Sequence, residues 1–401
     1  MTRPVLATVT DAIAPFHAGG KEQRTAELTR RLAGRFEVHV HTMRWWDGGR
    51  TRRQDGVTYH GVCAPHGMYV GGRRSIRQAL AFALGCLRLL GARFDVLEAD
   101  HMPYLHLPVL ALVAKLRRRP FVVTWHEVWS RAYWRDYLGP AGTLAWAFER
   151  FTMRLPDLVV AASAETALRV GEVVRTPVVV APNGVDLGAV TRALGGAPAP
   201  AVDVVTVGRL LPHKRVDLLL DALAALGPGV SARLIGRGPQ EAFLTARAAE
   251  LGLDVTVHAD VDDAGELYRL VAGARVFVLP SAREGFGIVA LEAVACGLPV
   301  VTTAAPDNLA RHLVADAPGG VVCADDVTAL AAAIRRTLDD PPDRAGADAW
   351  LAHHGWAGTA DRVAAALGSV LPRATPSAAH EPAPPAVTTL RPDPATAGSP
   401  S

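Results

Sequence analysis

The densest chemistry in the chain lies in Pro280-Ser281-Ala282-Arg283-Glu284-Gly285-Phe286-Gly287-Ile288-Val289-Ala290-Leu291-Glu292. An apolar run precedes it and a helical pattern follows, so Glu284, Gly285 and Gly287 fall at a strand-to-helix turn. Glycines there let the backbone approach a ligand, and the helix behind them favours an anion such as a diphosphate. Glu292 lies eight residues beyond Glu284, a rise of about 12 Å if the intervening chain is helical, with both carboxylates toward one cleft. Paired carboxylates of a glycoside hydrolase stand roughly 5 to 9.5 Å apart, so each acid is expected to bind hydroxyls instead of sharing acid/base work. Taken alone, the same two residues also describe a helix N-terminal Glu and an exposed helical Glu.

A second segment is Val207-Gly208-Arg209-Leu210-Leu211-Pro212-His213-Lys214-Arg215. A strand is expected to end at Gly208 and a helix to begin near residue 216, leaving Arg209 and Lys214 on the loop. Two cations beside a helix N-terminus form a clamp for a doubly charged diphosphate leaving group. In the first half, Phe16-His17-Ala18-Gly19-Gly20-Lys21-Glu22 again reads as strand, glycine loop and helix. Gly19 and Gly20 permit close approach to phosphate, but the run is not the GxGxxG of a dinucleotide site. Thr124-Trp125-His126-Glu127 sits at a strand end, followed by Trp129, Tyr133, Trp134 and Tyr137. A histidine flanked by rings suits a sugar's hydroxyls and apolar face; it also describes a satisfied core histidine. Asp260-Val261-Asp262 reads as a helix N-cap, not a metal site.

These segments need elements to hold them. Short apolar runs expected to be strands occur at 5–9, 38–42, 96–98, 121–124, 158–161 and 178–181, then at 204–207, 234–235, 255–258, 276–279, 300–302 and 321–323. Helical stretches separate them. Near-continuous apolar strands alternating with helices mean parallel sheets covered on both faces, so the chain is expected to be α/β with two doubly wound domains. Gly195-Gly196-Ala197-Pro198-Ala199-Pro200 interrupts the pattern and reads as the linker, giving domains at 1–190 and 201–350. The carboxyl ends of two such sheets would face each other across a cleft. Residues 372–401 are mostly Pro, Ala, Thr and Ser and are expected to be disordered.

Composition narrows the function classes. The chain has 401 residues, half of them hydrophobic, which allows two ordinary cores. Four cysteines with no CxxC or Cys/His pairing point to a reducing, cytoplasmic setting with neither disulfide framework nor zinc. No apolar run approaches the roughly 18 residues of a membrane span. Residues 1–180 carry 25 Lys and Arg against 15 Asp and Glu, whereas residues 181–401 carry 17 against 24. The basic first half, with the apolar stretch 76–90, admits peripheral contact with the inner face of a membrane. Nucleic acid is not an expected partner, since no domain is basic throughout.

Glu284 to Glu292, Gly208-Arg209-Leu210 with Lys214, Ala181-Pro182-Asn183-Gly184-Val185-Asp186, Ile235-Gly236-Arg237-Gly238-Pro239 and the Gly19-Gly20 loop together resemble the retaining family 4 glycosyltransferases of GT-B fold. The resemblance covers nearly all of residues 4–371. It implies transfer of a hexosyl-type sugar from a nucleotide diphosphate sugar, UDP- or GDP-linked, to an acceptor hydroxyl on a small molecule or lipid-linked glycan. No cofactor or metal is implied. By the same resemblance Arg209 and Lys214 would hold the donor diphosphate, Glu284 the transferred sugar and Glu292 the ribose. Amides around Gly285, Phe286, Gly287 and Ile288 would contact sugar and phosphate, as would Gly208, while Gly19 and Gly20 approach the phosphate from the other domain. His126 would touch the sugar near the reacting centre; from the aromatic cluster around it, Trp125, Glu127, Trp129 and Tyr133 are expected toward the acceptor. The final helix, 356–371, would cross back to the first domain. Arg237 stands where the family often has an acid, and His258-Ala259-Asp260 lacks the glycine usual after that strand. A donor-isomerising or donor-hydrolysing enzyme of the same fold, or an inactive nucleotide-sugar-binding protein, are the competing readings.

Overall fold

The computed structural model describes residues 3–17, 19–70 and 73–372. The tail expected to be disordered lies, from residue 373 onward, outside the described residues. The chain divides into two compact units, the first formed by Met1–Pro182 with Thr359–Ser401 and the second by Asn183–Gly358.

The first unit holds an eight-stranded sheet. Its strands are β1 (Val5–Val9), β2 (Glu37–Met43), β3 (Thr51–Gln54), β4 (Val57–Cys63), β5 (Val96–Asp100), β6 (Phe121–Trp125), β7 (Leu158–Ala161) and β8 (Val178–Val180). The spatial order is β8-β7-β6-β5-β1-β2-β4-β3. All neighbours are parallel except β3 with β4. The core strands β1 and β6 are buried along their whole length, which is why they read as unbroken apolar runs. The hairpin β3–β4 was not expected. Its strands carry Thr, Arg, Gln, Tyr and His, so no apolar run marks them. Asp55 and Gly56 turn it, both at positive φ (52° and 76°), as a two-residue turn matched to strand twist requires.

The second unit holds β9 (Val202–Val207), β10 (Ser231–Ile235), β11 (Asp254–His258), β12 (Ala274–Leu279), β13 (Val300–Thr303) and β14 (Gly320–Cys323). They lie in the order β11-β10-β9-β12-β13-β14, parallel throughout. This is the doubly wound order whose direction reverses between the first and fourth strands. Side chains alternate across the sheet: Val204, Val276, Val278 and Val301 enter one core, and Val205, Phe277, Leu279 and Val300 the other.

The Gly/Pro-rich stretch 195–200 is a loop ahead of β9, but the division between units falls earlier, after Pro182. The helix Leu187–Leu194 is the reason, because its Val190 and Ala193 are buried in the second unit's core. The last helix, Trp356–Val370, belongs to the first unit from Thr359 onward. There Thr359 donates to the Pro182 carbonyl at 2.8 Å and Arg35 pairs with Asp361.

Candidate active site

In an open parallel sheet, loops on either side of the order reversal part and leave a crevice at the strands' carboxyl ends. In the second unit those loops follow β9 and β12, and they carry Gly208 to Lys214 and Pro280 to Gly287. The structure joins them. Ala282 N–H donates to the His213 carbonyl at 2.9 Å, and the Lys214 ammonium pairs with the Glu284 carboxylate, which Ser281 Oγ also reaches at 3.4 Å. Thus two residues 70 apart in sequence form one polar centre, both largely buried. Glu284 is held from behind as well. Its carbonyl accepts Leu309 N–H at 2.9 Å, and Arg283 and Glu284 pair as a short ladder with Asp307 and Asn308 after β13.

The field around this centre is positive. Burial, followed by the charges of Arg283, Lys214 and Arg209, pushes His213 down to about 3. Arg209 is exposed on the same loop. Burial keeps this imidazole neutral, and the three cations that add to the effect mark a place where a multivalent anion is favoured. The backbone adds to it: the helix Ile288–Ala295 starts behind Gly287 with no side-chain cap, so its first amides point toward the same loops. Gly287 has φ 83°, and a Cβ there would stand 2.6 Å from the Ala310 Cβ. No other residue fits that turn without movement. Phe286 and Ile288 are buried, so only their backbones are available to a ligand.

The rise expected between Glu284 and Glu292 assumed helix throughout. Helix begins only at Ile288, because Gly287 in the left-handed region cannot continue it backward, so the estimate of about 12 Å does not apply. Glu292 is buried, and Tyr268 Oη donates to it at 3.2 Å.

The turn Ile235-Gly236-Arg237-Gly238 supports the cation loop. Gly208 N–H donates to the Ile235 carbonyl at 3.0 Å and Leu210 N–H to the Arg237 carbonyl at 2.8 Å. A Cβ on Gly236 would lie 2.0 Å from the Gly208 oxygen. Asp260 and Asp262 do not cap the next helix as expected. Asp263 does, accepting Glu266 N–H at 2.7 Å, while Asp262 and Asp260 pair with Arg237 at 3.0 and 3.3 Å. The arginine in the turn explains the two acids, since it gives them a partner.

The first unit has its own reversal, between β1 and β5, and a second polar cluster fills it. Asp11 follows β1, Asp100 ends β5 and His126 follows β6. His126 Nε2 lies 2.7 Å from Asp100 Oδ1. Asp11, fully buried, accepts from Lys21 at 2.6 Å and from Arg74 and Gln78 at 2.9 Å each. Lys21 also stands 4.0 Å from Asp100. Burial opposes the charge on both acids, yet Lys21 and Arg74 hold Asp11 well below the carboxylate range, and His126 and Lys21 do the same for Asp100. Gly19 precedes the helix Gly20–Leu32 in an extended conformation without a side-chain cap, and Gly20 is exposed. Asp11, Arg74 and Asp100 were missed from sequence. The signal for the two acids was their place at strand carboxyl ends beside the reversal, which becomes legible only with the strand order.

Of the expected acceptor residues, Glu127, Trp129 and Tyr133 are half-buried just beyond β6. Trp125 is not available: it ends β6 with its side chain fully buried, stacked on His101 at 5.2 Å between centroids. Both faces of β6 are buried, and Trp125 packs into one of them with Phe121 and Val123. Glu149 organises the rings, accepting Trp134 Nε1 at 2.7 Å and Tyr104 Oη at 2.9 Å. Burial raises it to about 7. Among the described residues, no group of three or more His, Cys, Asp or Glu is placed to hold a metal.

Comparison with known proteins agrees with this architecture. Residues 18–189 match the family described as Glycosyltransferase Family 4, and residues 195–348 match Glycosyl transferases group 1. A D-inositol 3-phosphate glycosyltransferase of Thermobispora bispora is 31% identical over 404 residues, covering 89% of this chain and 91% of that protein. A glycogen synthase of Mycobacterium tuberculosis is 32% identical over 262 residues, but the match spans only 62% of this chain and 61% of that protein. The structure of a UDP-forming α,α-trehalose-phosphate synthase from Burkholderia xenovorans, in complex with glucose-6-phosphate, superposes with a TM-score of 0.72. It covers 91% of this chain and all of that one at 14% identity, a likeness of fold alone. With sheets of this order, loops of this composition and a relative matched along nearly its whole length, the chain belongs to the family 4 glycosyltransferases, of GT-B fold with two Rossmann-like units.

Proposed function

We propose that the protein transfers a hexosyl-type sugar from a nucleotide diphosphate sugar, UDP- or GDP-linked, to an acceptor hydroxyl, with retention of configuration and without a metal. The observation that supports this reading is the Lys214–Glu284 pair at the reversal of the second sheet, with Arg209 and Arg283 on the same two loops. The cations, with the amides ahead of Ile288, neutralise charge that grows on the departing diphosphate, and that is where stabilisation accelerates the reaction. Glu284 is anchored by Lys214 and Ser281 and presents a carboxylate to sugar hydroxyls. No nucleophile has to be invoked: the leaving diphosphate takes the proton of the acceptor hydroxyl as the anomeric centre gains oxocarbenium character. His126, oriented by Asp100 at 2.7 Å, is the histidine that would contact the transferred sugar.

The acceptor is a small molecule or a lipid-linked glycan, and the setting is cytoplasmic. The four cysteines are unpaired, which suits a reducing compartment. Among the described residues no helix is long and apolar enough to cross a membrane.

Incubation with donor labelled in its sugar, followed by chromatography and NMR of the anomeric proton, tests the reading. A glycoside with the donor's configuration, formed equally with or without a chelator, is the expected product. Free isomerised or hydrolysed donor alone would identify the competing enzyme, and unchanged bound donor an inactive one.

A further inference from the structure

The helix Ile76–Gly85 and the 3-10 segment Cys86–Gly91 that continues it are apolar on two sides. One side enters the core through Ala79, Phe82, Cys86 and Leu89. The opposite side carries Ile76, Leu80, Leu84, Leu87 and Leu90, which are 39 to 68% exposed. Their spacing of three and four residues makes one continuous row about 25 Å long. The helix His106–Arg117 packs beside it and adds Leu112 and Leu116, 52 and 62% exposed. A helix apolar on two sides is normally covered on both, and exposed aliphatic patches of this extent mark a partner.

Charge identifies the partner. Residues 73–94 and 101–120 contain no Asp or Glu. Arg77 and Arg88 are exposed on the first element and Arg93 just after it, and Lys115, Arg117 and Arg118 at the end of the second. A second copy of this face would bring like charges together, and water alone leaves the leucines unburied. An anionic lipid surface satisfies both demands: aliphatic side chains enter the headgroup boundary while guanidinium and ammonium groups meet lipid phosphates. We propose that this face of the first unit docks the protein onto an anionic membrane surface. The docking itself is independent of the transfer reading. Only its consequence, an acceptor presented at that surface, rests on it.

Flotation of the full chain with phosphatidylcholine vesicles, with and without 30 mol% phosphatidylglycerol, tests the proposal. Binding is expected to anionic vesicles, weakening steeply as salt rises, with little to neutral ones. Leu80→Glu with Leu84→Glu, and separately Leu112→Glu with Leu116→Glu, each weaken binding at least tenfold while the melting temperature holds. Arg77→Gln with Arg93→Gln flattens the salt dependence. Phe243→Glu, at an exposed apolar residue of the other unit, changes nothing. Absence of vesicle binding by the wild type overturns the proposal. So does a concentration-dependent dimer that the Leu80→Glu/Leu84→Glu pair disperses, which would make the face a self-association surface.

Discussion

Two residues with opposite charges and opposite tasks dominate at the smallest scale. Lys214 is tied to Glu284 but sits in a loop already crowded with positive charge, so its position serves an anion more than the protein itself. Lys214→Ala is expected to lower kcat/KM by about 10²–10³, near 3 kcal/mol of transition-state stabilisation, with an unchanged circular dichroism spectrum. Asp11 behaves differently. It lies at the bottom of the first unit's cluster with Lys21, Arg74 and Gln78 as donors. Asp11→Ala removes the buried acceptor that Lys21, Arg74 and Gln78 share and is expected to cost about 3–5 kcal/mol in chemical denaturation, a stability effect before it is a catalytic one. The sequence displayed Lys214 plainly, because its spacing from Gly208 and its pairing with a glutamate segment form a pattern. Asp11 formed none. A carboxylate just past an apolar strand looks like any loop residue until the strand order places it at the reversal.

At the scale of elements, most of the fold was legible where burial on both faces writes a continuous apolar run, as in β1, β6 and β12. The exceptions have separate causes. β3 is an exposed polar edge strand, and β4, between β3 and β2, interrupts its valines with Thr, Tyr and His, so only the Asp55-Gly56 turn betrays them. Trp125 is expected on the acceptor side because aromatic residues cluster after it, whereas it ends a strand buried on both faces. Asp260 and Asp262 were expected to cap a helix and instead answer Arg237. The glycine turns were read correctly as turns, but their reason is packing as much as ligand approach. Gly287→Ala forces a side chain onto Ala310 at a positive φ. Melting in denaturant is expected to show a loss of about 1–3 kcal/mol, accompanied by weaker donor affinity as the helix start shifts. Full donor affinity with unaltered stability would mean that the turn relaxes freely.

Across the whole molecule, buried titratable groups set the response to pH. His41 and His213 are driven down to about 3 and His106 to about 4 by burial. They stay neutral in the folded chain, so stability is lost as pH falls below their unfolded value near 6.5. Glu149 and Glu98 are raised by burial, Glu149 to about 7, and oppose this trend between about pH 4.5 and 7 because their protonated form belongs to the fold. Below about pH 4.5 those carboxyls are protonated in both states and their opposition ends. Asp11, held low, then adds its own loss as the unfolded state takes up its proton. Thermal melts are therefore expected to change gently from pH 7 to 5 and to collapse below 4.5; a midpoint flat down to pH 3 would contradict the buried neutral histidines.

Transfer as proposed requires that the loops after β9 and β12 grip the diphosphate of an activated sugar. Calorimetric titration of the wild type and Lys214→Ala with UDP-, GDP-, dTDP- and ADP-sugars measures this directly. Saturable binding of one donor class by the wild type and at least tenfold weaker binding by the variant are expected. No binding of any of the four, or equal affinity in both proteins, would contradict this grip.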